Sequence, residues 1–298
     1  MRTRGRAAAF VAATAAIVVG ATSTAGVAST ASQVTAAPVT VYAHRGGAAL
    51  APENTLGAFR QTHEQFGARG VWLEMDTQLT ADGQLVVIHD DTLERTTDCA
   101  GTVIELPLAA IAPCDAGEVF PGWGTFEPVP TLRDVLTEGR DAGWRVMVEI
   151  KNVVGESNFD ALGTNVADAL AQLVRETGFP LDRLLVQSFW PLSLDRIEAQ
   201  LPGVGTVFLT SSSLPGLPGI GIPVTLNAVY STLLRYEVVS PADDSIDMNA
   251  TIVSVAHLLS RQVVPYTPNS EAEIRRVVEM GVDGVISDHP DRAYAVIG

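Results

Sequence analysis

The chain has 298 residues, 47% of them hydrophobic and 18% charged, enough length and apolar content for one large domain with a sizeable core. Its 34 Asp+Glu outnumber 19 Lys+Arg, for a formal net charge of −15, which excludes nucleic acid as a partner, because phosphate backbones would be repelled. A phosphate-bearing ligand would need a bound cation or a local basic group.

The N-terminus opens with Arg2, Arg4 and Arg6, then an apolar run of 14 residues from Ala7 to Gly20, then small residues through Ala31. This is the layout of a secretory signal peptide spanning 1–31; the run is short of the roughly 20 apolar residues a membrane span needs, so no stable span is expected. Removing it leaves 16 Lys+Arg against 34 Asp+Glu, a net of −18, on a secreted, extracellular protein. An exported chain sits where disulfides persist, and its two cysteines, Cys99 and Cys114, are expected to form one bridge.

Beyond a lead-in ending near Pro38, short β-branched runs alternate with helical patterns. Strands are expected at Val39–Ala43, Val71–Met75, Arg145–Ile150, Leu184–Ser188, Thr206–Leu209, Gln262–Tyr266 and Gly284–Ser287, with an eighth between Tyr236 and Met248. Helices are expected at Asn54–Phe66, Thr131–Ala142, Phe159–Thr177, Pro191–Gln200, Thr251–Ser260 and Ser270–Met280, the last capped by Asn269 or Ser270. The pattern predicts an α/β chain over 39–298 that forms a (β/α)8 TIM barrel, with a doubly wound open sheet as runner-up. A hairpin and small insertion should follow the second strand. Asp82-Gly83 reads as a two-residue hairpin loop, which would make facing residue numbers add to 165 and set His89 opposite Asp76. The Pro/Gly-rich segment Ser211–Pro223 reads as a surface connection, or as a lipid-facing loop.

Polar residues cluster where the strands end, which is where barrel enzymes carry their chemistry. Glu74 and Asp76 share a strand face, as do Glu149 and Lys151. Three carboxylates offering only oxygen suit a hard divalent cation, Ca2+ or Mg2+; salt bridges such as Glu149 with Lys151 are the alternative. His44 and His89 each end an apolar run and could transfer protons, or could be hydrogen-bonded core histidines. Arg45 has the geometry to grip phosphate oxygens, and Gly46-Gly47 allows either close backbone approach or a tight turn.

The ordered set His44-Arg45-Gly46, Pro52-Glu53-Asn54-Thr55, Glu74-Met75-Asp76, His89-Asp90, Glu149-Ile150-Lys151, Gln187-Ser188-Phe189 and Gly281 to Pro290 resembles the glycerophosphodiester phosphodiesterase family from about Val39 to the C-terminus. The resemblance implies metal ligands at Glu74, Asp76 and Glu149, an acid–base pair at His44 and His89, and phosphate contacts from Arg45 and Lys151. Glu53 and Asn54 would sit near the metal or orient the first histidine. It also implies a small-molecule glycerophosphodiester substrate, cut to glycerol 3-phosphate and an alcohol. Tyr266-Thr267-Pro268-Asn269 and Trp190 depart from the family's pattern and bear on the alcohol side. A lysophospholipase D or sphingomyelinase D-like activity is the second reading. A non-catalytic phosphodiester-binding protein ranks last, because the motif set is intact. The sequence says nothing of oligomeric state.

Overall fold

A computed structural model describes residues 38–210, 236–244 and 248–298. The expected signal segment and the segment Ser211–Pro223 lie outside the described residues. Among those described, no helix is long and apolar enough to cross a membrane.

Eight strands run parallel: β1 (Thr40–Ala43), β2 (Trp72–Leu79), β4 (Arg145–Ile150), β5 (Leu184–Ser188), β6 (Gly205–Thr210), β7 (Val238–Pro241), β8 (Gln262–Val263) and β9 (Gly284–Ser287). Their order is β8-β7-β6-β5-β4-β2-β1-β9. The seam between β8 and β9 is closed by a parallel bridge of Tyr266 to Ile286 and by Asp283 N and Ile286 N donating to Val263 O and Pro265 O. The result is a nearly closed eight-stranded barrel, and the open sheet is set aside. The eighth strand, unplaced within Tyr236–Met248, is β7.

The strand period of two sorts side chains by destination. On β2, Leu73 and Met75 face the outer helical layer and join the main apolar core; on β4, Val146, Val148 and Ile150 do the same. The alternate residues face the barrel interior. Tyr42, Met147, Val207, Val238, Val264 and Ile286 fill it with a second apolar cluster. Two residues further along β2 and β4 the same inward face carries charge instead: Glu74, Asp76, Glu149 and Lys151. The barrel is therefore plugged with hydrocarbon below and lined with ionisable groups at the C-terminal mouth.

The outer layer is α1 (Leu56–Phe66), α3 (Leu132–Ala142), α4 (Asn165–Thr177), α5 (Pro191–Gln200), α6 (Ala250–Leu258), α7 (Glu271–Glu279) and α8 (Pro290–Ile297), with a short α2 (Leu108–Ile111) in the insertion. Thr55 and Thr131 cap α1 and α3, and Ser270 with Glu273 forms a full capping box on α7, so Ser270 rather than Asn269 is the cap. Helix α4 starts at Asn165, not Phe159. Asp160 takes N–H bonds from Leu162, Thr164 and Asn165, which holds that stretch in a turn. Strand β8 stops at Val263, where expectation ran to Tyr266, and α8 was not anticipated.

The hairpin also differs. β3 (Leu85–Val87) pairs with β2 as Thr77 to Val87, Gln78 to Val86 and Leu79 to Leu85. This register is one residue from that of a two-residue loop. Thr80 makes the difference: its N–H donates to Gln84 O and its hydroxyl accepts from Gln84 N, so the turn spans Thr80–Gln84. Ile88, not His89, therefore lies opposite Asp76, with Ile88 N donating to Asp76 O.

The insertion after β3 has its own small core of Val86, Ile88, Leu93, Val103, Ile111, Cys114 and Val129. Cys99 and Cys114 are joined there, with Cα atoms 5.6 Å apart. So small a core is marginal alone, and closing a loop of this length contributes about 3 kcal/mol in the chain-entropy account. Reduction, or Cys99→Ser with Cys114→Ser, should lower the denaturation midpoint accordingly. An unchanged midpoint would show that the bridge is idle.

Candidate active site

Chain turns deliver the site's parts to the mouth. After β1 the backbone turns at once: Arg45 is left-handed (φ 52°), followed by Gly46 and Gly47 at φ 83° and 92°. A Cβ on Gly46 would stand 2.9 Å from the Phe59 ring, so glycine is required there. The turn aims three groups at the mouth. Arg45 N donates to Glu74 Oε2 at 2.7 Å, Arg45 Nη1 donates to Glu53 Oε1 at 2.9 Å, and His44 Nδ1 lies 2.6 Å from Asp288 Oδ1.

Glu74, Asp76 and Glu149 bring one oxygen each within 4.8 Å of one another, and all three are buried. Glu74 has one donor on each oxygen, Gln187 Nε2 on Oε1 at 2.7 Å and Arg45 N on Oε2. Asn54, also left-handed at φ 60°, clasps Asp76 twice: its Nδ2 donates to Asp76 Oδ2 at 2.9 Å, and its Oδ1 accepts from Asp76 N. Asp76 Oδ1 is buried without a hydrogen-bond donor, and Glu149 Oε1 has only an ammonium beside it. Lys151 Nζ stands 3.3 Å from Glu149 Oε1 and 3.3 Å from His89 Nε2.

The electrostatics follow from burial against local charge. Burial, reinforced by Asp76, pushes the Glu74 carboxyl well above the usual range. Burial also pushes Glu149 up to about 7, against the pull of Lys151. Asp76 is buried too, but His89, Arg45 and Lys151 outweigh the burial and hold it below its ordinary value. Lys151 stays charged despite burial because Glu149 and Asp76 face it. Burial lowers His89, with Asp76 opposing and Lys151 adding to the fall. Three carboxylates that keep one donor-less oxygen, Asp76 Oδ1, form a set open to further positive charge. An all-oxygen set of this kind fits a hard divalent cation.

His44, Arg45, Glu74, His89, Glu149 and Lys151 line one cavity of about 150 Å³, whose other wall is Phe189, Leu209, Tyr266 and Ile286. One side is ionic and the other apolar. A larger groove, about 400 Å³, lies between the hairpin tip and α3 and α4; it holds no histidine, and its Arg133 and Glu176 pair with each other.

All nine mouth residues singled out from the sequence thus meet, while Cys99 and Cys114 lie apart in the insertion. Four partners were given no role from the sequence, although Asp90, Gln187 and Asp288 stood in its motif set. Asp288 orients His44 and is itself held by Asn269 Nδ2 at 2.6 Å. Asp90 Oδ1 lies 2.6 Å from His89 Nδ1. Gln187 holds Glu74, and Arg95 links Asp90 to Glu53. Asp90 adjoins His89 and Asp288 ends the last strand, which was signal enough; Arg95 carried none.

A model of the glycerophosphoryl diester phosphodiesterase family matches residues 44–292. A glycerophosphodiester phosphodiesterase of Caldanaerobacter subterraneus is 31% identical over 251 residues, covering 84% of this chain and 94% of the relative. One from Bacillus altitudinis is 29% identical over 257 residues, covering 86% and 97%. Among solved structures, an Oleispira antarctica phosphodiesterase in complex with the product sn-glycerol-3-phosphate superposes with a TM-score of 0.74 at 27% identity, covering 87% of this chain and 97% of that one. A putative glycerophosphoryl diester phosphodiesterase from Silicibacter pomeroyi gives 0.75 at 27% identity, covering 87% and 93%.

Mutual repulsion of three buried carboxylates makes a binding test direct. Ca2+ or Mg2+ should bind at one site per chain and raise the melting temperature by mass action. Asp76→Asn should weaken binding by about 10-fold or more. A melting temperature indifferent to both cations would return the cluster to a salt-bridge role.

Proposed function

The chain belongs to the glycerophosphoryl diester phosphodiesterase family, and from that premise we propose that it hydrolyses glycerophosphodiesters to glycerol 3-phosphate and an alcohol, using a divalent cation and the pair His44 and His89. The observation that carries this reading is that both histidines line the same cavity as Glu74 and Glu149 of the acidic cluster, each with its Nδ1 against an aspartate. With Nδ1 against a carboxylate, each ring is held in one orientation and presents Nε2 for a proton in transit, with Lys151 Nζ 3.3 Å from Nε2 of His89.

Glu74, Asp76 and Glu149 are the ligands for Ca2+ or Mg2+, which when bound supplies positive charge against the charge building on the phosphoryl oxygens. Arg45 and Lys151 add fixed positive charge beside the same point. Asn54 and Gln187 orient the ligands, and Glu53 steers Arg45. One histidine accepts the proton of the attacking hydroxyl and the other returns a proton to the departing alkoxide; water attacks directly, or the adjacent glycerol hydroxyl attacks first and water then opens the resulting cyclic phosphate to glycerol 3-phosphate. The apolar wall of Phe189, Leu209, Tyr266 and Ile286 faces the carbon skeleton and excludes water. The layout of residues 1–31 supports an activity outside the cell, with mature protein in the medium beginning after that segment; protein retained in the cytoplasm and beginning at Met1 would overturn this reading.

The decisive experiment measures glycerol 3-phosphate release from glycerophosphocholine. Exhaustive chelation should abolish it, and Ca2+ or Mg2+ should restore it. His44→Ala and His89→Ala should each lower kcat by about 100-fold or more, with the double variant losing less than the product. Full turnover after chelation sinks the cation, and near-normal kcat in both variants sinks the pair.

A further inference from the structure

The insertion after β3 contributes one side chain that reaches both halves of the site. We propose that Arg95 is a positioning residue that holds His89 and Arg45 in register through two carboxylates. This rests on the reading of those two residues given above.

The geometry is a guanidinium clamped on two sides. Arg95 Nη1 donates to Glu53 Oε2 and Nη2 to Glu53 Oε1, both at 2.8 Å. Arg95 Nε donates to Asp90 Oδ2 at 2.5 Å and Nη2 to Asp90 Oδ1 at 2.9 Å. Each carboxylate then passes the constraint inward. Asp90 Oδ1 meets His89 Nδ1, and Glu53 Oε1 accepts from Arg45 Nη1. Both ends of this chain of contacts line the cavity.

Three features separate this arrangement from an ordinary surface ion pair, which contributes little. First, Arg95 makes four donor contacts in two planar forks, which fix direction as well as distance. Second, its backbone is anchored. Leu93 is buried in the insertion's own core, and Thr97 Oγ1 donates to Leu93 O while accepting from Cys99 N. Third, neither carboxylate could do the work alone. Without Arg95, Glu53 would keep only Arg45 and draw it from the cavity, and Asp90 would be free to swing with the imidazole. Gln78 Nε2 holds the carbonyls of His89 and Asp90 but touches neither ring nor carboxylate.

Arg95 is 47% exposed and packs in no core, so Arg95→Ala should fold, as an unchanged melting temperature would report. Its expected effect is a kcat about 10- to 100-fold lower on glycerophosphocholine, a raised KM, and weaker binding of inorganic phosphate. Added guanidinium ion should recover activity in Arg95→Ala and leave the wild type unaffected. Arg95→Lys keeps the charge but not the forks, and should recover only a minor part. Wild-type turnover is measured first, so a failure of the proposed activity is seen separately. Given an active wild type, kcat, KM and phosphate affinity all unchanged in Arg95→Ala would overturn the proposal. Full activity in Arg95→Lys would reduce Arg95 to a point charge and overturn it equally. So would a loss that guanidinium does not relieve.

Discussion

Everything at the mouth of this barrel answers to the repulsion among Glu74, Asp76 and Glu149. Three carboxylates with oxygens within 4.8 Å, all buried, are not stable unattended. The chain attends to them with five groups from four residues. Arg45 N and Gln187 serve Glu74, Asn54 serves Asp76, and Lys151 and the Arg45 side chain bring positive charge. Asp76 Oδ1 is nevertheless left without a donor, and Glu149 Oε1 has only the Lys151 ammonium 3.3 Å away. A protein evolved only for stability would have filled them or replaced the acids with hydrocarbon, as the barrel interior does one layer below with Met147 and its neighbours. These oxygens mark the direction in which the structure expects positive charge from outside.

The turn after β1 is shaped by the same demand. Arg45 and Asn54 both take left-handed backbone, which costs a non-glycine residue about 1 kcal/mol or more. Each conformation returns a hydrogen bond to a carboxylate ligand: Arg45 through its N–H, Asn54 through its side chain. The two turns are tied to each other as well, since Asn54 N donates to Arg45 O. Strain at these two positions is thus offset locally, by the anions that give the site its purpose.

What was legible in the sequence depended on range. Strand periodicity alone put Glu74 with Asp76 and Glu149 with Lys151 on one face, and the β4, β5 and β9 bounds were read correctly, because a two-residue period is a local property. The hairpin register was misread because Asp82-Gly83 looked like a complete loop. The hydroxyl of Thr80, two residues before, widens the turn and slips the pairing by one. His89 still reaches the cavity, since the short strand ends at Val87 and the chain beyond it is released from the ladder. The residues the sequence reading missed are bound across long separations. Asp288 meets His44 over 244 positions, Gln187 meets Glu74 over 113, and Arg95 meets Glu53 over 42. No local pattern encodes such pairs; the barrel brings the first two together, and the insertion makes the third.

The two histidines are held by similar means but with different backing. Asp288, on His44, is held by the neutral amide of Asn269, which lies on the segment before α7 and also accepts from Asp288 N. Asp90, on His89, is held by the cation Arg95. The first support belongs to the barrel itself, since Asn269 and Asp288 come from consecutive strand–helix connections at the seam where the barrel closes. The second is imported by the insertion, whose separate core and disulfide anchor the arginine. Damage to barrel closure should therefore register first at His44, and damage to the insertion first at His89. Of the two histidines proposed to transfer protons, one is bound to the closure of the barrel and the other to the insertion with its separate core.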